Sequence, residues 1–211
     1  MNESMNESMK ESMLSIIASF WENFTSEESW IPFLLSMSLW FSCWVYSKQQ
    51  GKDYYARWQN IHALHHFGAI FFGSLSLYFD DDSVFNERIG ILWSIPYFII
   101  DILDCVVLLH FTYLIHGVIC LGLGLGNYNM PLLRELRMNS KASFIESSTF
   151  VLHHAKRTRS PVIFFIFALV FTACRIVWIP LMMKELYEHQ VQPYDWVFLA
   201  LAAFYILQVY W

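Results

Sequence analysis

From residue 96 to residue 126 the chain is apolar almost without interruption, marked mainly by Asp101, Asp104, His110 and His116. A single helix needs roughly 20 residues to cross the hydrocarbon core of a bilayer, and this region with its flank is too long for one. It is expected to divide into two helices, near 89–103 and 106–126, with a tight break between them that either completes two crossings or turns back as a re-entrant pair. Four further apolar stretches, near 31–47, 63–79, 161–183 and 196–211, bring the set to six. Charged residues make up 15% of the chain, whereas soluble domains carry about 25%. The mean hydropathy is +0.40, and 18% of residues are aromatic, enough to furnish belts at both membrane interfaces. The expected fold class is therefore an all-α membrane protein, a bundle of about six transmembrane helices.

Residues 1–30 differ from the rest. MNESMNESMKESM is an imperfect polar tetrad repeat of disorder-prone composition. The short apolar stretch that follows lacks the basic start and small-residue cleavage site of a signal peptide, so a short interfacial helix is expected there. Residues 31–211 form the membrane domain. Of the four cysteines, Cys105, Cys120 and Cys174 sit in apolar runs, where cysteine behaves as a small buried hydrophobe. No CxxC spacing suggests a zinc ribbon or redox pair. A net charge of −5, with no basic stripe, gives no support for nucleic-acid binding.

Lysine and arginine set the expected orientation. Residues 127–160 read as one long loop carrying Arg134, Arg137, Lys141, Lys156, Arg157 and Arg159. With six spans, that loop, Lys10 and Arg88 share a side, giving eight basic residues against four (Lys48, Lys52, Arg57 and Lys184). The positive-inside rule then places both termini and the loop in the cytosol. The sequons at Asn2, Asn6 and Asn23 would go unglycosylated.

Ionisable groups at bilayer depth are costly and tend to face a bundle interior, so they are the candidates for function. His62, His65 and His66, spaced i, i+3, i+4, share one helix face. They suit either an interfacial cluster bonded to loops and head groups or a metal site. HxxHH is one box of the membrane di-iron hydroxylases. Those enzymes need about eight imidazoles in several boxes, and neither His110 with His116 nor His153 with His154 makes a second. No metal is expected. On a continuous helix Asp101 and His116 would lie within about 60° of one face, forming a carboxylate–imidazole pair capable of acid–base work. If the helix breaks after Asp104, Asp101 and Asp104 instead line a cavity mouth with His116 deeper in. Arg175, between Cys174 and Ile176, calls for a partner, and Glu146, Asp101 or a lipid head group are the candidates.

At these residues the chain resembles the TLC-domain family, which includes ceramide synthases, translocating-chain-associated proteins and regulators of membrane lipid composition. Trp58-Gln-Asn-Ile-His62-Ala resembles the entry to that family's first conserved helix. Tyr97-Phe-Ile-Ile-Asp101-Ile is similar to its G-Y-x-x-x-D-L element, with Pro96 where Gly is usual. Leu114-Ile-His116 is similar to its L-H-H element, with Ile115 replacing the first His. Phe144-Ile-Glu146-Ser-Ser-Thr-Phe150, Phe171-Thr-Ala-Cys-Arg175-Ile and Leu207-Gln-Val-Tyr-Trp211 then follow in the family's order. The resemblance implies a six-helix bundle in the endoplasmic reticulum enclosing a lipid-sized cavity.

Two functions follow as expectations. The first is a lipid-binding protein of membrane lipid homeostasis or trafficking, with His62, Asp104, His110, Glu146 and Arg175 at the lipid. The alternative is an acyltransferase on a sphingolipid-like substrate, with His116 as base or acyl carrier, Asp101 orienting it and acyl-CoA as co-substrate. A di-iron lipid hydroxylase ranks behind both. The incomplete His-His element at Ile115-His116 favours binding. No cofactor is expected otherwise, and the expected partners are membrane lipids, a second copy of the chain or other membrane proteins.

Overall fold

The computed structural model describes residue 25 and residues 27–49, 54–189 and 195–210. The expected interfacial helix and the three sequons lie outside them, as does Trp211. The described chain is all-α, with no strand among the described residues.

The elements are α1 (Glu27–Gln49), α2 (Tyr54–Phe79), α3 (Arg88–Leu108), α4 (Phe111–Asn129), α5 (Pro131–Glu135), α6 (Met138–Ser143), α7 (Glu146–Thr158), α8 (Pro161–Phe171), a π-helical turn (Thr172–Val177), α9 (Trp178–Glu188) and α10 (Trp196–Tyr210). α8, the π turn and α9 form one rod of 28 residues. Pro161 opens that rod at a position where its missing N–H goes unused.

The break between α3 and α4 exists, but it falls at Leu109 and His110 rather than at 104–105. Leu109 takes a left-handed φ of 57°. The His110 N–H bonds back to the Cys105 carbonyl at 2.9 Å, so the end of α3 keeps its carbonyls satisfied. Asp101 and Asp104 therefore lie inside α3 rather than capping the break.

Side-chain contacts fix the direction of every long element. α1 and α3 run parallel, with Ser36 and Trp40 on the Trp93 carbonyl and Trp44 and Lys48 on Asp104. α2 runs against α3, pairing His62 with Tyr97 and His65 with Ser94. α4 returns alongside α3, where Gly117 faces Ile102 and Gly124 faces Ile95.

Residues 127–160 are not a loop on one face. α6 starts at the Asp80 end of the bundle, where Arg137 bonds Ser76, Asp80 and Asp82. Farther along, Glu146 reaches His66, and the His153 ring comes within 6.1 Å of the His66 ring. α6 and α7 thus run antiparallel to α2, from the Asp80 end to the Lys48 end. The α8–α9 rod then comes back, with Arg175 level with Ser148 and Glu185 level with Lys141. α10 goes out again, with Trp196 against Gly126 and Phe204 against His116.

The bundle therefore contains seven traverses, and Glu27 and Tyr210 lie at opposite ends. The seventh is one more than the six apolar stretches of the sequence. The missed traverse is polar, and it is sheltered between α2 and the α8–α9 rod. Moving Lys156, Arg157 and Arg159 to the Lys48 end also removes the charge bias. Among the described positions five basic residues (Arg88, Arg134, Arg137, Lys141, Lys184) sit at the Asp80 end and five (Lys48, Arg57, Lys156, Arg157, Arg159) at the other.

Among the described residues two helices are long and apolar enough to cross a membrane, Arg88–Leu108 and Pro161–Glu188. They differ sharply in burial. The most apolar window of the second has a mean hydropathy of 2.5, yet only 11% of it is buried within the protein. Val162, Phe165 and Leu169 stand exposed, and Arg175 is the one buried residue from Pro161 to Val177.

At the Asp80 end a polar clasp ties the α2–α3 connection to α6. Glu87 Oε1 accepts from both the backbone N–H (2.9 Å) and hydroxyl (2.8 Å) of Ser140. Burial raises the Glu87 carboxyl above its ordinary pKa, and the two Ser140 bonds offset this only in part.

Candidate functional site

The bundle interior holds a cavity of about 90 Å³, smaller than the roughly 300–1,000 Å³ of typical small-molecule sites. It matches part of a head group rather than the lipid-sized chamber the family resemblance implied. His65 comes from α2, Ser94 from α3, Cys120 and Asn127 from α4, Asn139 from α6, Glu146 from α7 and Phe204 from α10. Five traverses thus converge on it.

The histidine face of α2 supplies one wall. His65 stacks flat on Tyr97, with ring centroids 3.7 Å apart and planes 8° from parallel. Its Nε2 lies 3.2 Å from Ser94 Oγ. Trp40 closes the back, edge-on to His65 and Tyr97. His62 Nδ1 bonds the Tyr97 hydroxyl. Tyr97 therefore binds one imidazole by its hydroxyl and another by its ring face, which holds the cluster rigid.

His66 turns toward α7. Its Nδ1 sits 2.8 Å from Glu146 Oε2. This differs from the expected Glu146–Arg175 pairing. Arg175 instead donates from Nε to Ser148 Oγ at 2.6 Å and from Nη2 to Thr149 Oγ1 at 2.5 Å. Its guanidinium also lies 5.5 Å from the Phe171 ring centroid. The π turn widens the helix locally at this residue, a distortion often found at functional positions. It lets a single polar side chain turn inward from an otherwise outward-facing helix. Glu146 and Arg175 remain within electrostatic range of each other.

His116 stacks on Phe204 with centroids 5.4 Å apart, and its Nε2 lies 3.6 Å from Cys120 Sγ. Cys120 and Phe204 are cavity wall, so His116 stands directly behind that wall. Asp101 faces α4 one residue along from His116, its Oδ2 3.7 Å from the Cβ position of Gly117.

The other predicted residues serve elsewhere. Asp104 is buried at the Lys48 end, accepting from Trp44 Nε1 at 2.9 Å and pairing with Lys48 Nζ at 2.8 Å. It joins α1 to α3 and does not line the cavity. His110 sits at the α3–α4 break beside Tyr113, also away from the cavity. No three His, Cys, Asp or Glu side chains among the described residues converge as metal ligands. Sequence reasoning missed Asn127, Asn139 and Ser94 on the wall and Ser148 and Thr149 at Arg175. The Ser-Ser-Thr run after Glu146 was the available signal for the last two.

Comparison with family models, with curated proteins and with solved structures gave no match, so the functional argument rests on the chain's own geometry.

Proposed function

We propose that the chain is a multi-pass membrane protein that binds a lipid through the cavity between His65, Asn127 and Glu146 and acts in membrane lipid homeostasis or trafficking. The observation that carries this reading is the inside-out arrangement. From Pro161 to Val177 the α8–α9 rod presents bare apolar side chains outward and Arg175 as its one buried residue, whereas α9 beyond it packs Ile179, Met182 and Leu186 into the core. The core helix of a soluble protein would be mostly buried, whereas a bilayer covers such a face without protein contacts. The polar groups gathered inside are the kind retained at bilayer depth for a ligand. The resemblance to TLC-domain proteins points the same way and suggests the endoplasmic reticulum.

Under this reading all seven traverses span the membrane. α6 and α7, polar as they are, cross in the shelter of α2 and the α8–α9 rod. The cavity admits a head group, while the acyl chains lie along the apolar exterior.

A second reading is acyl transfer to a lipid, with His116 as base and acyl-CoA as donor. The contact between His116 Nε2 and Cys120 on the cavity wall favours it, because it brings the imidazole to the edge of the chamber.

Extraction of the full chain from native membranes in polymer-bounded discs, followed by mass spectrometry of bound lipids, tests the first reading. One lipid class should be enriched in wild-type discs and lost in Glu146→Gln. A profile identical to the surrounding membrane overturns it. Acyl-CoA turnover by wild type, absent from His116→Gln, would move the second reading to the front.

A further inference from the structure

Hydrogen-bond acceptors on the cavity wall are left without donors. Asn127 gives one amide N–H to the Leu123 carbonyl at 2.8 Å, which orients the amide and leaves Oδ1 buried without a partner. Ser143 donates its hydroxyl proton to the Ser140 carbonyl at 2.6 Å and can only accept toward the cavity. Glu146 has one oxygen against His66 and keeps 18% of its side chain exposed, although it sits deep in the bundle. His65, whose Nε2 lies against Ser94, leaves Nδ1 buried and unpartnered. Orphaned buried acceptors are costly, so this wall calls for a ligand that donates hydrogen bonds.

Charge narrows the choice. The Glu146 carboxylate already has His66 at 2.8 Å and the Arg175 guanidinium within electrostatic range. A cationic head group would meet that guanidinium, and an anionic one would meet a carboxylate and acceptor oxygens. Hydroxyl groups bring donors without charge, and the acceptors are spread along the cavity, which favours more than one hydroxyl.

We infer that the cavity is selective for a neutral, polyhydroxylated head group, such as the glycerol of a monoacylglycerol, held by hydroxyl donation to Asn127 Oδ1 and Glu146. This rests on the lipid-binding reading and names the head-group chemistry within it. The hydroxyls could also belong to a free polyol, and the test separates the two sources.

Full-length protein in detergent is titrated with four probes: monoolein, free glycerol, oleic acid and a lysophosphatidylcholine of the same chain. Monoolein should bind best. Asn127→Leu, close in size but without the acceptor, should weaken monoolein by about tenfold or more while leaving thermal stability at or above wild type. Oleic acid or lysophosphatidylcholine binding as tightly as monoolein, or Asn127→Leu binding monoolein as wild type does, overturns the head-group assignment and leaves lipid binding intact. Glycerol binding as tightly as monoolein keeps the hydroxyl chemistry but overturns the lipid source. Binding of none of the four overturns the head-group assignment; the lipid profile of the native discs then decides separately whether the lipid-binding reading stands. If Asn127→Leu fails to fold, Asn127→Ala, which also lacks the acceptor, is titrated in its place with the same expected loss and the same overturning result.

Discussion

His66 Nδ1 lies 2.8 Å from Glu146 Oε2, and this contact fastens the start of α7 to the middle of α2. Removing Glu146 leaves a buried imidazole without its partner. Glu146→Ala is expected to destabilise the protein by about 1–3 kcal/mol, with Glu146→Gln milder because it keeps an acceptor oxygen. Thermal unfolding in detergent measures both. Equal stability of Glu146→Ala and wild type would remove the contact from the account.

Arg175 is bound by geometry as well as charge. Nε and Nη2 reach two neighbouring hydroxyls on α7, a forked arrangement that an ammonium cannot reproduce. Arg175→Lys should lower stability by about 1–3 kcal/mol, because one ammonium cannot replace both bonds to Ser148 and Thr149. The loss should shrink when Ser148 and Thr149 are both replaced by Ala, and an undiminished loss in that background would show that the hydroxyls are not its cause.

The crossing of α2 with α6 depends on close approach. A Cβ on Gly73 would overlap Ser143 Oγ and meet the Ser140 carbonyl oxygen at 3.0 Å, whereas one on Gly122 meets nothing within 4 Å. Gly73→Ala should therefore destabilise clearly. Gly122→Ala should be neutral or stabilising by up to about 1 kcal/mol, the helix-propensity difference between the two residues. Similar melting behaviour for the two variants would contradict the packing described for α6.

Glu87 gives the Asp80 end a pH dependence. Burial favours its neutral form in the folded state, so the folded protein binds that proton more tightly than the unfolded chain. The contribution is fully present below the ordinary glutamate pKa of 4.5 and is lost as pH rises through the higher folded value. Relative to Glu87→Gln, which stays neutral, wild type should lose melting temperature as pH rises above 4.5. A difference that stays constant with pH contradicts this.

Six of the seven traverses were legible as apolar runs, because α1 to α4, the α8–α9 rod and α10 each carry enough Leu, Ile, Phe and Trp to stand out. The α6–α7 traverse was not. Its polar residues face protein on two sides, and hydropathy reports contact with lipid rather than position in a bundle. The α3–α4 break was misplaced by a few residues because Leu109, with no Gly or Pro nearby to mark it, adopts the left-handed turn. The histidine face of α2 was visible from spacing. Its partners were not, since Tyr97, Ser94 and Glu146 are brought to it only by tertiary packing.

The orientation follows from that missed traverse. If all seven traverses cross the membrane, as proposed, the two ends of the described chain lie on opposite sides of it, and no excess of basic residues favours either end. Glycosylation reporters fused at the two termini should give one modified and one unmodified site in microsomes. Two modified or two unmodified sites would restore an even number of crossings.

The central claim is that the outward face of the α8–α9 rod lies against acyl chains while Arg175 faces the interior. Photo-crosslinking benzoylphenylalanine at Phe165 and at Leu169, with Asp81 in the exposed α2–α3 connection as control, measures this directly in native membranes. Adducts at Phe165 and Leu169 should carry lipid mass, and Asp81 should give none. Adducts at those two sites with protein alone, or a yield quenched by water-soluble reagents as at Asp81, would contradict it.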